Sequence, residues 1–424
     1  MEMTKPIDVE KDVNIHLEDR GRSRSFFWFI WLLYAVVYMT KNCYNGAMAS
    51  IVAEGVLTKS QTGLITSMFY LVYTPLQVVG GMVTDRFSPQ RMIKIGLLGA
   101  AIANTVIFFN QSYYVMLGAW MFNAAAQFGI WPSVFKIISA QLVRSERKKM
   151  LYLISFSTYG GLALSYIIAA IVEKWQYNFA ISAVSLLLLA FVLHLFEKKL
   201  RPYWKWDVPE DAFEMNAEAG LQKIPTMKIF KKSAFFFVVI GVVFAILVSQ
   251  GRSILVPVMF MENYDSVSPQ TGNLLNILTI MASLLGTLIA GKFLSNVKNE
   301  VTATAVACGI MIPFLAVCRF VGALPISVLI ASLCVIAGLE SVTTTLRNYY
   351  NVQFVKYGKS GTAAGICNAG ASLAFSLSAY FMPKVVEMFG WDALLTLWPI
   401  LILISIVFNL ISVRTYRKFK TQGI

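Results

Sequence analysis

Uninterrupted apolar stretches of about twenty residues recur from Phe26 to Val413, each matching the hydrocarbon thickness of a bilayer. Nothing else in the chain constrains its fold as strongly. A segment buried in lipid must satisfy its own backbone N–H and C=O groups, and a helix of this length does so. Composition agrees: 57% of the 424 residues are hydrophobic and 14% are charged, whereas soluble domains carry about a quarter charged residues. An ordinary soluble globule is excluded, and the chain reads as an all-α membrane protein.

Breaks between the apolar runs give twelve transmembrane helices, centred near Leu33, Tyr70, Ala101, Ala125, Gly161, Leu187, Ala245, Ala282, Cys308, Ser332, Ala371 and Ile402. With the N-terminus in the cytoplasm, only Lys59, Lys174, Arg319 and Lys384, four of 36 basic residues, fall on outer connections. The positive-inside rule therefore places both termini in the cytoplasm of a cell inner or plasma membrane. The formal charge of +14 has the same explanation, since the basic residues lie between spans and form no single soluble face, so no nucleic-acid partner is expected. The polar leader ahead of the first span, without a cleavage site after it, is no secretory signal. Cys43, Cys308, Cys318, Cys334 and Cys367 are scattered through apolar segments, and His16 and His194 stand apart. Neither a metal site, a disulfide framework nor a catalytic triad is implied, and no cofactor.

The longest internal polar stretch runs from residue 197 to 233 and carries Tyr203, Trp204 and Trp206 among lysines, a composition that suits either the headgroup level or a solvated linker. It divides the chain into a cytoplasmic segment at 1–25, a six-helix bundle at 26–196, the linker at 197–233, a second six-helix bundle at 234–413 and a tail at 414–424. Gly358-Lys359-Ser360 has the tail of a phosphate-binding loop, but Gln353 occupies the place of its first glycine, which disfavours ATP-driven transport. Two six-helix halves joined by a cytoplasmic loop describe secondary transporters, whose site lies at mid-membrane between repeats.

Charges within the spans carry the most information, because an ionised group in hydrocarbon costs several kcal/mol. Lys41 lies deep in the first helix and Arg252 at comparable depth in the seventh, its counterpart in the second half. Two cations beside a central cavity repel each other unless something negative bridges them, so a small organic anion is the expected ligand. Lys136, after Trp131-Pro132, is either a third cation on the pathway or a snorkelling side chain. Glu340 and Arg347 are two turns apart on the tenth helix; Glu340 could couple protons, neutralise a basic residue of another helix, or sit in water at the cytoplasmic mouth. Tyr38, Asn45, Gln77, Tyr159 and Asn276 add polar tips inside spans, as interhelical contacts or as groups that orient substrate.

Between the second and third helices, Gly81-Met82-Val83-Thr84-Asp85-Arg86-Phe87-Ser88-Pro89-Gln90-Arg91 resembles the signature of the major facilitator superfamily, with Ser88 in place of the usual second glycine. The resemblance implies that Asp85, Arg86 and Arg91 latch the inner side. Tyr38-x-x-Lys41-Asn42, Gln127-Phe128-Gly129-Ile130-Trp131-Pro132 with Lys136 and Glu146-Arg147, Lys359-Ser360-Gly361-Thr362-Ala363-Ala364-Gly365 and Gly390-Trp391-Asp392 resemble the organophosphate:phosphate antiporter branch, which includes glycerol-3-phosphate and hexose-phosphate exchangers. That likeness implies that Lys41 and Arg252 take the places of two phosphate-binding arginines. Lys41 is a point charge where the branch has a planar fork, and Gln77 replaces a basic residue, so a sugar acid or carboxylate is open beside an organophosphate.

The expectation is therefore a secondary active transporter of a small organic anion, not an enzyme, working as a monomer in the lipid bilayer by alternating access, with phosphate or protons as coupling species in antiport or symport. Two alternatives from other classes are a membrane sensor that binds a sugar phosphate without transporting it, and a proton-driven drug exporter, which would want buried acids in place of buried bases.

Overall fold

The computed structural model describes residues 15–206, 225–293, 297–354, 357 and 359–422. The first helices are α1 (Arg20–Ala53), α2 (Lys59–Arg86), α3 (Pro89–Phe109), α4 (Tyr113–Gln127), a short α5 (Ile130–Lys136), α6 (Arg147–Ile171) and α7 (Gln176–Leu200). After a short α8 (Thr226–Lys232) come α9 (Phe235–Asn263), α10 (Pro269–Phe293), α11 (Glu300–Cys318), α12 (Ile326–Val352) and α13 (Ser360–Gln422). Two-residue strands β1 (Ile15–His16) and β2 (Lys205–Trp206) pair antiparallel. Among the described residues, nine helices are individually long and apolar enough to cross a membrane. Counting α2, α4 with α5, and α13 as two limbs gives twelve crossings. The protein is a multi-pass membrane protein.

Three of the expected spans depart from simple rods. The fourth is interrupted at Phe128-Gly129, resumes as α5, and ends in a π-helical turn at Ile137–Gln141. The last two are two helices that meet at a kink at Gly390, whose backbone is non-helical at φ 80° and ψ 177°. That conformation is closed to residues with a side chain, so a single glycine replaces the expected outer connection.

Residues group into two compact units, Met1–Ala47 with Leu71–Ile168 and Val172–Ala217, and Met48–Tyr70 with Ala169–Ile171 and Glu218–Ile424. The expected linker is described only at its ends: α7 runs into it as far as Leu200 and α8 occupies Thr226–Lys232, while 207–224 lies outside the described residues.

In the first unit α3 and α7 show how these sequences choose their faces. Ile95, Leu98, Ile102, Val106 and Phe109 form one exposed stripe on α3, and Ile181, Val184, Leu188, Phe191 and Leu195 form one on α7. These repeat at three and four residues, so a single face of each helix meets lipid. The opposite face of α3 buries Gly96, Ala100, Ala101, Ala103 and Asn104. Small residues there let neighbouring backbones approach, which drives association where no hydrophobic effect separates helix from lipid.

In the second unit the connection between α1 and α2 is closed by a reciprocal cap. Thr58 N–H donates to Gln61 Oε1 at 2.9 Å, and Gln61 N–H donates to Thr58 Oγ1 at 3.2 Å, satisfying two otherwise orphan donors of α2. Beyond it Lys59 Nζ lies 2.8 Å from Glu262 Oε2 on α9, the same oxygen that accepts from Trp391 Nε1 at 2.9 Å, and Ser60 N–H donates to Glu387 on α13.

Candidate functional site

Lys41 projects from α1 on the side that also carries Tyr34 and Tyr38, at intervals of seven and three residues, so all three share one helix face. Its Nζ stands 3.8 Å from the centre of the Tyr73 ring on α2 and 5.9 Å from that of Tyr38. An ammonium over an aromatic face is stabilised by the ring quadrupole, and more so away from water. Gln77 Nε2, one turn along α2, donates to the Tyr73 hydroxyl at 3.1 Å. Tyr34 packs against Trp131 of α5, ring centres 4.9 Å apart. Tyr159 stands on α6, two residues before the point where that helix meets α1 beside Tyr38. Gly161 sets that approach: a Cβ there would strike the Ala35 carbonyl oxygen and come to 2.8 Å from Tyr38 Cβ.

The structure thus brings Lys41, Tyr38, Gln77 and Tyr159 together in the first unit and adds Tyr34, Tyr73 and Trp131. Asn45 is buried and turns along its own helix, donating to Asn42 Oδ1 at 3.3 Å. Lys136 is half-buried in the last turn of α5, ahead of the π-helical turn.

Arg252 is held differently. Its Nε and Nη2 donate to Glu340 Oε2 at 3.0 and 2.6 Å, and Ser249 Oγ, one turn earlier on α9, donates to the same oxygen at 3.1 Å. Both charged side chains are buried, at 5% and 8% exposure. Of the three roles open to Glu340 in the sequence, the geometry displays the neutralisation of a base on another helix. Among the described residues, Arg252 Nη1 and Glu340 Oε1 have no hydrogen-bond partner. Asn276 is buried on α10 and donates to the Ser253 carbonyl at 3.2 Å, tying α10 to α9 beside Arg252.

Arg347 lies about 10 Å further along α12, where it lines a separate small cavity with Glu300, Tyr350 and Asn409. Glu300, at the start of α11, is fully buried, accepting from Tyr416 at 2.7 Å and Lys420 at 2.6 Å. The sequence reading passed over it because an acid directly after Asn299 reads as an exposed helix start.

Of the signature residues, Asp85 and Arg86 close α2 in helical backbone, and their side chains lie outside the described residues; Arg91 is exposed on α3. Ser88, standing where the signature usually has glycine, donates to Gln90 Oε1 at 3.0 Å, and Gln90 Nε2 donates to Gln141 Oε1 of the π-helical turn at 2.7 Å. Leu17 N–H donates to the Gln141 carbonyl at 2.9 Å. The loop between α2 and α3 is anchored by this amide network, which motif spacing alone did not reveal.

The family model of the Major Facilitator Superfamily matches residues 30–379. The chain belongs to the Major Facilitator Superfamily. Among solved structures, this member resembles a bacterial homologue of the human lysosomal transporter Spinster, with a TM-score of 0.72 at 15% identity, covering 95% of this chain and 98% of that one. A D-xylose-proton symporter gives 0.71 at 15% identity, covering 92% and 97%. At these identities the likeness establishes the major facilitator fold. Among curated relatives, the membrane sensor protein UhpC of Escherichia coli is 35% identical over 118 residues, 28% of this chain and 27% of that protein. A probable hexose phosphate transport protein of Chlamydia pneumoniae is 29% identical over 123 residues, again 28% and 27%. A glycerol-3-phosphate transporter of Bacillus subtilis is 21% identical over 393 residues, 86% of each chain. The chain therefore spans about a quarter of the length of the first two relatives and most of the third.

Proposed function

We propose that this superfamily member is a secondary active transporter of an organophosphate or a similar small organic anion, not an enzyme, and that it works by alternating access between two six-helix halves, 26–196 and 234–413. Both termini face the cytoplasm in this reading, and the membrane is the plasma or inner membrane. The observation that carries it is the placement of Lys41 and Arg252 on membrane helices α1 and α9, with Arg252 buried and one of its terminal nitrogens unpartnered. A buried guanidinium with an open donor suits an oxyanion, since two parallel N–H groups match two oxygens. Relatives named for hexose phosphate and glycerol-3-phosphate transport support the phosphate end of that class. The aromatic face of Tyr34, Tyr38, Tyr73 and Trp131 offers the flat apolar surface that a sugar ring or carbon chain would use.

The test is uptake by vesicles containing the purified protein, with inorganic phosphate, glucose 6-phosphate and gluconate as labelled probes. Lys41→Gln and Arg252→Gln each abolish uptake while the protein still unfolds cooperatively; uptake near the unmodified level in either variant discards the assignment. One observation favours a second reading, a sensor that binds without transporting: the 35% identity to a membrane sensor over 118 residues. Saturable anion binding in detergent with no vesicle flux would select it.

A further inference from the structure

The second unit begins with α8, a seven-residue helix with two unlike faces: Ile229 and Phe230 are buried, whereas Met227, Lys228, Lys231 and Lys232 are exposed. Phe230 anchors it, stacking on Phe235 with ring centres 4.2 Å apart and meeting Phe354 edge-on at 5.8 Å. Ala234 then takes left-handed backbone, at φ 56° and ψ 28°, before α9 begins. Residues with a side chain seldom adopt that conformation, and it keeps α8 from continuing the line of α9. The Tyr350 hydroxyl steadies the turn by donating to the Ser233 carbonyl at 3.3 Å.

The bend borders a cavity of about 200 Å³ between α8, the start of α9 and the second limb of α13, lined by Phe230, Lys231, Phe236, Phe237, Ile411 and Thr415. Its walls change character along α13. Ile400, Leu403, Val407, Leu410 and Ile411 form an exposed apolar stripe, and Arg414, Thr415, Arg417 and Lys418, all exposed, follow it directly. The same change occurs between the exposed Lys231-Lys232 and the exposed Phe236-Phe237. The cavity therefore lies where hydrocarbon gives way to headgroups. Charge at that level has one sign, since no acid occurs from Thr226 to Met261 or after Asp392. Among the described residues, none of Lys231, Lys232, Arg414 and Lys418 forms an ion pair. The buried Glu300 meets the other face of α13, through Tyr416 and Lys420.

We infer that this cavity is a site for one anionic phospholipid of the adjoining leaflet, its phosphate meeting Lys231 and Thr415 and its acyl chains leaving along Phe236, Phe237 and Ile411. A lysine ammonium brings three donors and a threonine hydroxyl one, which suits a phosphate held at a surface. Size argues for a lipid over a soluble ligand. Pockets that engulf a small molecule run to roughly 300–1,000 Å³; a smaller one with an apolar wall open to the bilayer takes in part of a molecule whose remainder stays in the membrane. The headgroup must be net negative, because a zwitterionic one would bring its own cation among the lysines. Once bound, the lipid bridges α8 to α13 and fixes the end of the linker to the second unit. This holds whether the chain transports or senses.

Native mass spectrometry of the delipidated full chain, in mixed micelles of phosphatidylglycerol and phosphatidylcholine, tests the site in wild type, Lys231→Gln, Thr415→Trp and a control carrying Lys198→Gln with Lys199→Gln. Wild type retains one phosphatidylglycerol in preference to phosphatidylcholine. Lys231→Gln weakens that retention about fivefold, the share of one lysine beside an anionic headgroup. Thr415→Trp keeps every charge but fills the cavity, and it loses the retained lipid, whereas diffuse attraction to a basic surface would survive it. The control, whose two lysines are equally exposed at the end of α7, matches wild type. Undiminished retention in both Lys231→Gln and Thr415→Trp, an equal loss in the control, or indifference of wild type to the headgroup would each overturn the inference. Displacement of the lipid by soluble glycerol phosphate at matched concentration would overturn it too, because the chains would then contribute nothing.

Discussion

The two membrane-embedded cations are accommodated by opposite means. Lys41 rests over aromatic rings in the first unit, and Arg252 is gripped by a carboxylate in the second. The difference follows the chemistry of the two head groups. An ammonium is a compact charge that is satisfied by a face without fixed direction, whereas a planar guanidinium demands oxygens in its plane. One unit therefore holds its cation against an apolar, stackable surface, and the other holds its cation by directional hydrogen bonds to a carboxylate.

The largest effect that could break this comparison concerns stability. Arg252→Gln leaves Glu340 buried and unneutralised, which costs about 3–5 kcal/mol when one partner of a buried pair is removed. Lys41→Gln removes a charge that rests on neutral rings and costs markedly less. Adding Glu340→Gln to Arg252→Gln recovers most of the loss without restoring uptake. Thermal unfolding of the three purified variants is the measurement. Equal destabilisation by Arg252→Gln and Lys41→Gln would mean that the two cations are held alike after all.

An intermediate effect sharpens the aromatic side. Tyr73→Phe keeps the ring under Lys41 and removes only the hydroxyl that accepts from Gln77. Tyr73→Leu removes the ring and with it roughly 1 kcal/mol of cation–π attraction. The expected order of sugar-phosphate affinity is wild type, then Tyr73→Phe close behind, then Tyr73→Leu several-fold weaker. If Tyr73→Phe is the worse of the two, the hydroxyl and Gln77 matter more than the ring face.

How far the sequence reached can be traced along the same two helices. Lys41, Arg252 and Glu340 were visible because an ionisable residue inside an apolar run is conspicuous without any tertiary knowledge. The all-helical, multi-span character was equally legible, since each crossing must be an apolar segment of nearly fixed length. Tyr73 and Trp131 were not picked out as partners of the α1 face, because aromatic residues are common in membrane helices and only helix packing decides which ring meets which. Ser249 escaped for the same reason. Thr58-Lys59-Ser60-Gln61 does carry the pattern of a capping box, but it was hidden in a short connection read for charge alone. Gly390-Trp391-Asp392 marked a boundary in the sequence, and two helices do meet at Gly390; what the sequence left open is that a glycine at positive φ turns the chain there without a loop.

The smallest expected effect uses an exposed ion pair as the reference for the buried one. Arg24, at the start of α1, donates through Nε to Glu146 at 2.9 Å ahead of α6, with the arginine side chain 63% exposed. Water and salt already compensate the exposed Arg24 charge and reach the partly exposed Glu146, at 16% exposure, so Glu146→Gln should change the neutral-pH melting temperature little, unlike any disruption of Arg252 and Glu340. A residual signature is nevertheless expected in acid. Hydrogen bonds from Arg24, with its charge and those of Arg20 and Lys149, hold the Glu146 carboxyl below its ordinary value against the opposing push of desolvation. A carboxyl depressed in the folded state contributes stability that is present above its unfolded pKa, about 4.3, and is lost as pH falls through the folded one. Wild type should therefore stand only marginally above Glu146→Gln at neutral pH and lose that margin by about pH 3, the two melting temperatures converging at the acid end. If the variant instead melts well below wild type at neutral pH, this surface contact is coupled to the packing of α1 against α6, and exposure alone no longer separates the two kinds of ion pair.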